Sequence, residues 1–192
     1  MRAREFILKE IGAATIAPAI NLSPETINQI PRIGTVDSTP VYGANFGGQT
    51  IVAFIDGESI QAAVIFDQHN NLRGVQNSAN IKGAVSSLML YVLNNLADTL
   101  TISKSELMTP AGLKWVCNIL QSNRKIFSIV DSEGNVPDPK VLTDAWYKSW
   151  DEDFAMNDIE LHITAATVHE SMFEDVKRLM PIYRIMHSPE FE

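Results

Sequence analysis

Residues 72–96, Leu-Arg-Gly-Val-Gln-Asn-Ser-Ala-Asn-Ile-Lys-Gly-Ala-Val-Ser-Ser-Leu-Met-Leu-Tyr-Val-Leu-Asn-Asn-Leu, constrain this chain more than any other stretch. They read as a short strand, a glycine-bearing turn and an amphipathic helix. Val85, Leu88, Met89, Val92, Leu93 and Leu96 recur at the spacing of one apolar helix face, with Ser86, Ser87, Asn94 and Asn95 on the other. Lys82-Gly83 stands where the helix begins. Unpaired backbone N–H groups and an ammonium therefore converge on one spot, which suits an anion and above all a phosphate. The same residues also suit a plain strand-to-helix turn, and both readings stay open at this level.

The flanking pattern places that stretch in a fold. Gln49-Thr-Ile-Val-Ala-Phe-Ile leads into Asp56-Gly57, a strong hairpin-turn signal, and residues 60–66 continue as a second strand. Asn70-Asn71 turns the chain into a third strand over 72–77, giving an antiparallel meander. After the helix, residues 99–103 read as a fourth strand. Strand, helix and strand make a βαβ crossover, which predicts parallel strands in one sheet. Thr109-Pro110 opens a second helix with Leu113, Val116 and Leu120 facing inward, and residues 126–130 form a further strand. The Val136-Pro-Asp-Pro139 break precedes a helix over 140–150 with Val141, Ala145 and Trp146 on one side. A strand with Ile159, Leu161 and Ile163, and a helix over 170–180 ended by Pro181, complete the pattern. Upstream, residues 1–11 have a helical pattern, and Ser23-Pro24 caps a short helix ending near Pro31. Residues 32–48, with four glycines and one proline, predict irregular structure and one brief strand near Val41. The expected class is α/β in the mixed-sheet (α+β) sense. Residues 1–30 form a helical arm, 31–130 a core, and 131–192 a C-terminal α/β extension packed on it.

Bulk properties remove several functions. A net charge of −8 over 192 residues argues against broad binding to nucleic acid or to an anionic membrane surface. The single Cys117 excludes an intramolecular disulfide and a multi-cysteine metal site. The mildly apolar residues 11–20 follow two arginines, yet Lys9-Glu10 interrupts them and they are too short to span a bilayer. The expectation is a cytoplasmic protein.

In this layout Lys82-Gly83-Ala84-Val85-Ser86-Ser87-Leu88-Met89, with the next strand and the segment from Ser103 through Trp115 to Leu120, resembles the core of the GNAT superfamily of N-acetyltransferases. Pro110 and Gly112 ahead of Trp115 are similar to small GNAT-like proteins of bacteriophages, and the opening Met1-Arg-Ala-Arg-Glu-Phe-Ile is similar to the start of many phage-encoded proteins. The resemblance covers residues 30–130. It implies acetyl transfer from acetyl-CoA to an unidentified small-molecule or protein amine, in the host cytoplasm. Pyrophosphate would rest on Lys82, Gly83, Ala84, Val85, Ser86 and Ser87. The pantetheine arm would run along Val75 to Ser78, with Val75 and Asn77 in contact, where the sheet splays from the strand holding Leu100. A backbone N–H at Val75 or Gln76 would polarise the thioester carbonyl, and a carboxylate, with Asp67 and Glu58 the nearest, would take the amine proton. The chain departs from the family pattern at three points. Asn80 stands in place of Arg or Gln, and Val85 in place of a second small residue. Trp115 stands where a tyrosine often serves as acid, and indole has no usable proton-transfer chemistry. These departures feed an alternative: a non-catalytic GNAT-fold interaction or virion-structural protein, working as a homo-oligomer or in a particle.

The remaining candidates are weaker. His69, His162, His169 and His187 show no metal-ligand spacing, so no metal is expected. No Gly-x-Ser-x-Gly elbow occurs, although a Ser/His/Asp triad is beyond the reach of sequence alone. Cys117 reads as a buried small hydrophobe. Asp151-Glu-Asp153 reads as a solvated connection. Trp146, Tyr147, Trp150 and Phe154 form an aromatic group that suits packing or an interface.

Overall fold

A computed structural model describes residues 22–103, 110–121, 126–148 and 160–166. The helices expected over 1–11 and 170–180, the weakly apolar 11–20, the acidic connection at 151–153 and the side chains of the aromatic group lie outside the described residues.

The first half is a run of hairpins. Strands β1 (Arg32–Val36), β2 (Thr39–Phe46), β3 (Gln49–Asp56), β4 (Ser59–Asp67) and β5 (Leu72–Asn77) pair in sequence order as one antiparallel five-stranded sheet. The first two turns are two residues long with both residues left-handed. Asp37 and Ser38 have φ 46° and 74°, and Gly47 and Gly48 have φ 55° and 82°. Such turns match the right-handed twist of the strands they join. Gly57 opens the third turn at φ 56°, as Asp56-Gly57 had predicted. Residues 32–48 are thus a correction to the sequence reading, which took their glycines and proline as breakers. Two of those glycines are the turn. Two others lie inside strands to make room: a Cβ on Gly34 would come within 2.4 Å of Tyr91 Oη, and one on Gly43 within 2.6 Å of Ile33 Cδ1.

Both faces of this sheet are buried. Val41, Val52, Phe54, Ala62, Val64, Phe66 and Leu72 face one cluster, and Ala44, Phe46, Ile51, Ala53, Ala63 and Ile65 face another. Two buried faces explain why β3 and β4 are nearly continuous apolar runs instead of alternating ones. The second face packs against α1 (Pro24–Ile27), whose N-cap Ser23 accepts the Thr26 N–H and whose Ile27, with Ile30, is buried there.

Helix α2 (Ala84–Asn95) covers the first face. It touches β1, β3, β4 and β5, and also reaches β8 of a second sheet. Its buried arc is therefore wider than one stripe, taking in Ala84, Leu88, Met89, Tyr91, Val92 and Leu93, with Val85 and Leu96 at the margin. Ser87, expected on the polar face, is 2% exposed, and its hydroxyl donates to the Gly83 carbonyl at 3.0 Å. The serine tolerates burial because the helix backbone supplies its acceptor. Tyr91 Oη donates to the Ile33 carbonyl at 3.0 Å, tying the helix to the edge strand.

The second sheet holds β6 (Leu100–Ser103), β7 (Phe127–Asp131) and β8 (Glu160–Ala165) in the order β6-β8-β7, all antiparallel. The strand of the expected C-terminal extension is thus its central member. Leu100, Ile102, Phe127, Ile129, Leu161 and Ile163 point into the cluster beneath α2, so the two sheets share one core. Helices α3 (Pro110–Gln121) and α4 (Pro139–Lys148) pack on each other, burying Leu113, Val116 and Leu142, and the Trp115 ring meets Phe127 at 5.9 Å. Asp138 caps α4, its Oδ1 accepting the Lys140 N–H at 2.7 Å. Val141, expected on one side with Ala145 and Trp146, is 65% exposed, and Leu142 is buried.

The crossover is only partly as expected. Strands β5 and β6 run parallel, but they meet at one bridge, Asn71 to Thr101, and belong to different sheets. The molecule is a mixed α+β fold built from a large and a small antiparallel sheet.

Candidate functional site

The seam between β5 and β6, and the turn that carries β5 into α2, hold the residues singled out by sequence. At the closed end of the seam the Thr101 N–H donates to the Asn70 carbonyl at 2.9 Å. Beyond that bridge, no strand among the described residues pairs with the outer edge of β5. Val75, on that open edge, is 42% exposed although its partner Val64 is fully buried. An unpaired strand edge presents backbone donors and acceptors to any extended ligand that carries amides.

The turn from residue 77 to 83 is held by one side chain. Asn77 Oδ1 accepts the Ile81 N–H at 2.9 Å, and its Nδ2 donates to the Ile81 carbonyl at 2.9 Å. Asn80 takes a left-handed conformation at φ 52°, which asparagine tolerates better than most residues. Gly83, the N-cap of α2, has φ 85°, and no side chain caps the first turn. Lys82 is exposed beside it, Ala84 is buried, and Val85 and Ser86 are half-buried. Lys82, Gly83, Ala84, Val85, Ser86 and Ser87 thus gather at one helix N-terminus, at the end of β5 where the seam is open. Asn77, expected along the pantetheine path, has both ends of its carboxamide engaged in holding that turn. Gln76 lies one residue before it, on the opposite face of the sheet, in register with Ala63. Its Nε2 donates to Ser78 Oγ, and its Oε1 is buried with no hydrogen-bond partner.

Asp67 is elsewhere. It ends β4, where its N–H donates to the Asn71 carbonyl, so the six residues of β5, at about 3.3 Å each, put roughly 20 Å between it and the α2 turn. Its Oδ1 accepts the His69 N–H at 2.8 Å and the Asn71 N–H at 2.9 Å. Its Oδ2 accepts Asn71 Nδ2 at 3.0 Å and Arg73 Nε at 3.0 Å, with an Arg73 Nη2 ion pair at 2.8 Å. Burial pushes this carboxyl up, but the hydrogen bonds from Asn71, His69 and Arg73 outweigh it and bring the pKa to about 2. A carboxylate so fully engaged is a loop clamp, with little basicity left for an amine proton. Glu58, the other carboxylate considered, is exposed in the β3–β4 turn.

The structure also joins side chains that sequence reasoning left apart. On the face of the small sheet turned away from α2, Thr101 Oγ1 lies 3.4 Å from His162 Nδ1, and His162 Nε2 lies 3.2 Å from Glu160 Oε1. The signal was the alternation in β8, where Glu160 and His162 share one face and Leu161 and Ile163 take the other. The partner strand was the missing piece. Among the described residues no cluster of three or more His, Cys, Asp or Glu side chains suits a metal ion, and no helix is long and apolar enough to cross a membrane.

Compared with protein-family models, curated proteins and solved structures, the chain matches none.

Proposed function

We propose that the β5–β6 seam and the α2 N-terminus form a GNAT-type acyl-donor site, and that the chain is an acetyl-CoA-dependent N-acetyltransferase acting on an amine. One observation carries this reading: two parallel strands joined at a single bridge and then parting, with a helix N-terminus that no side chain caps directly after the first of them. In this reading Lys82 and the amides of Gly83, Val85 and Ser86 receive the pyrophosphate, the Ala84 N–H being already given to the Ile81 carbonyl. The open β5 edge from Val75 to Asn77 pairs with the pantetheine amides, and Val75 offers its exposed apolar surface to the acyl chain. The chain order of meander, helix α2, strand β6 and helix α3 is consistent with the layout that the resemblance implies. The uninterrupted run of five hairpin strands ahead of α2 is this chain's own.

Asp67 favours the second reading. With the nearest meander carboxylate locked to Arg73 and Asn71, the site lacks an evident base on those strands, as a non-catalytic interaction or virion protein on the same fold would. Calorimetry separates the two. A working donor site binds acetyl-CoA with a Kd of about 1–100 μM, in the range typical of enzyme substrates, and Lys82→Glu removes that binding by setting a like charge against the phosphates. Absence of heat with both acetyl-CoA and CoA at millimolar concentration refutes the enzyme reading. Recovery of the chain in purified particles then supports the alternative.

A further inference from the structure

The cluster on the far face of the small sheet has a geometry that the donor site does not use. Thr101 and His162 are directly opposite each other on β6 and β8. The Thr101 N–H is directed to Asn70, away from β8. Thr101 and His162 are therefore a non-hydrogen-bonded pair, the kind of antiparallel pairing that brings side chains closest. Glu160 is two residues before His162, so strand periodicity puts both on one face. The carboxylate at Nε2 can only accept, which places the ring proton on Nε2 and leaves the Nδ1 lone pair facing the Thr101 hydroxyl. Val130, the other cross-strand neighbour of His162, brings no competing polar group. The His162 side chain is about one-third exposed and Thr101 is half-buried.

We propose that Thr101, His162 and Glu160 form a nucleophilic relay that accepts an acyl group from an activated ester. Thr101 Oγ1 attacks the ester carbonyl, forming the Oγ1–C bond, and the bond from that carbon to the leaving oxygen breaks. The hydroxyl proton passes to His162 Nδ1 and from there to the leaving oxygen or to water; nothing is oxidised or reduced. Thr101 and His162 are the catalytic residues, and Glu160 is a positioning residue that holds the ring tautomer. This site is separate from the α2 turn and does not depend on acetyl-CoA binding there.

The probe is p-nitrophenyl acetate with the full chain near neutral pH. Stopped-flow absorbance follows nitrophenolate release, and peptide mass spectrometry locates the acetyl group. The expected result is a burst of about one equivalent with the acetyl on Thr101. Thr101→Val, which keeps the strand-favouring shape without the hydroxyl, removes the adduct. His162→Gln slows acylation by about a hundredfold or more, as loss of a general base does. Glu160→Gln gives an intermediate rate and a mixed imidazole tautomer in long-range nitrogen–proton NMR, a change that loss of a merely structural contact would not produce. Circular dichroism of each variant checks folding, and the mapping on the unmodified chain decides the matter alone if a variant does not fold. Acetyl found only on lysines, no adduct, or an acylation rate unaffected by His162→Gln overturns the proposal.

Discussion

Replacing Asp67 by asparagine tests the charge logic of the β4–β5 loop. The carboxylate is 12% exposed and takes hydrogen bonds from two backbone amides, the Asn71 carboxamide and the Arg73 guanidinium. Its pKa falls from 3.8 to about 2 on folding. Each pKa unit is worth about 1.4 kcal/mol of differential interaction, so ionised Asp67 contributes about 2 kcal/mol at neutral pH. The folded-state pKa is the depressed one, so this stability is fully present above the unfolded value near 4 and is lost as pH falls through about 2. Asp67→Asn leaves Arg73 without its anionic partner at neutral pH and removes the titrating group. Urea denaturation of both proteins at pH 7, 5, 4, 3 and 2.5 is the measurement. The difference between them is expected to be about 2 kcal/mol at pH 7 and 5, to shrink below pH 4, and to lose most of its size by pH 2.5. Taking the difference cancels carboxylates common to both chains, including Glu25, whose pKa is also lowered, chiefly by its hydrogen bond with Ser23. A stability difference that stays constant from pH 7 to 2.5 refutes the reasoning, because it would then arise from shape and not from charge.

Two further predictions concern positions where the backbone needs one residue type. Gly34→Ala drives a methyl into the Tyr91 phenol and costs about 1–3 kcal/mol in thermal or urea unfolding. Tyr91→Phe alone costs about 1 kcal/mol by orphaning the Ile33 carbonyl, and the Gly34→Ala/Tyr91→Phe pair is expected to cost less than the sum, because the oxygen that clashes is gone. Asn77→Ala removes both bonds that hold Ile81 and is expected to cost about 2 kcal/mol. If the α2 turn is the donor site, the same change weakens acetyl-CoA binding in calorimetry by more than its effect on global stability explains; equal binding in variant and parent shows that the turn need not be preformed.

Sequence made the helix over 84–95, the strands over 49–77 and the capped helix at Pro24 legible, because each rests on a local period, an apolar run bounded by turn residues, or a cap. The hairpin over 32–46 was hidden by its composition: glycines inside a strand look like loop residues until Tyr91 and Ile33 are seen to need the space. Pairing across distance was out of reach. Nothing in Thr101, Glu160 or His162 alone announces that β8 inserts between β6 and β7. For the candidate site, the placement of Lys82, Gly83 and Ser86 at a helix start was readable. The duties of Asn77 and Asp67 were not, since a polar side chain that clamps its own loop has the same letters as one that awaits a ligand.

The consecutive pairing of β1 to β5 also bears on how the chain comes to be folded. Each of those strands finds its partner across a turn of two to four residues, so the large sheet can zip up from local contacts alone. The small sheet cannot, for Thr101 must wait for His162, sixty-one residues later. Topology therefore predicts that the seam divides an early-folding unit from a late one. On a ribosome, α2 emerges with one side already templated by the first sheet and the other side bare until β8 arrives. Pulse-labelled hydrogen exchange should accordingly protect the amides of β3 and β4 before those of β6 and β8.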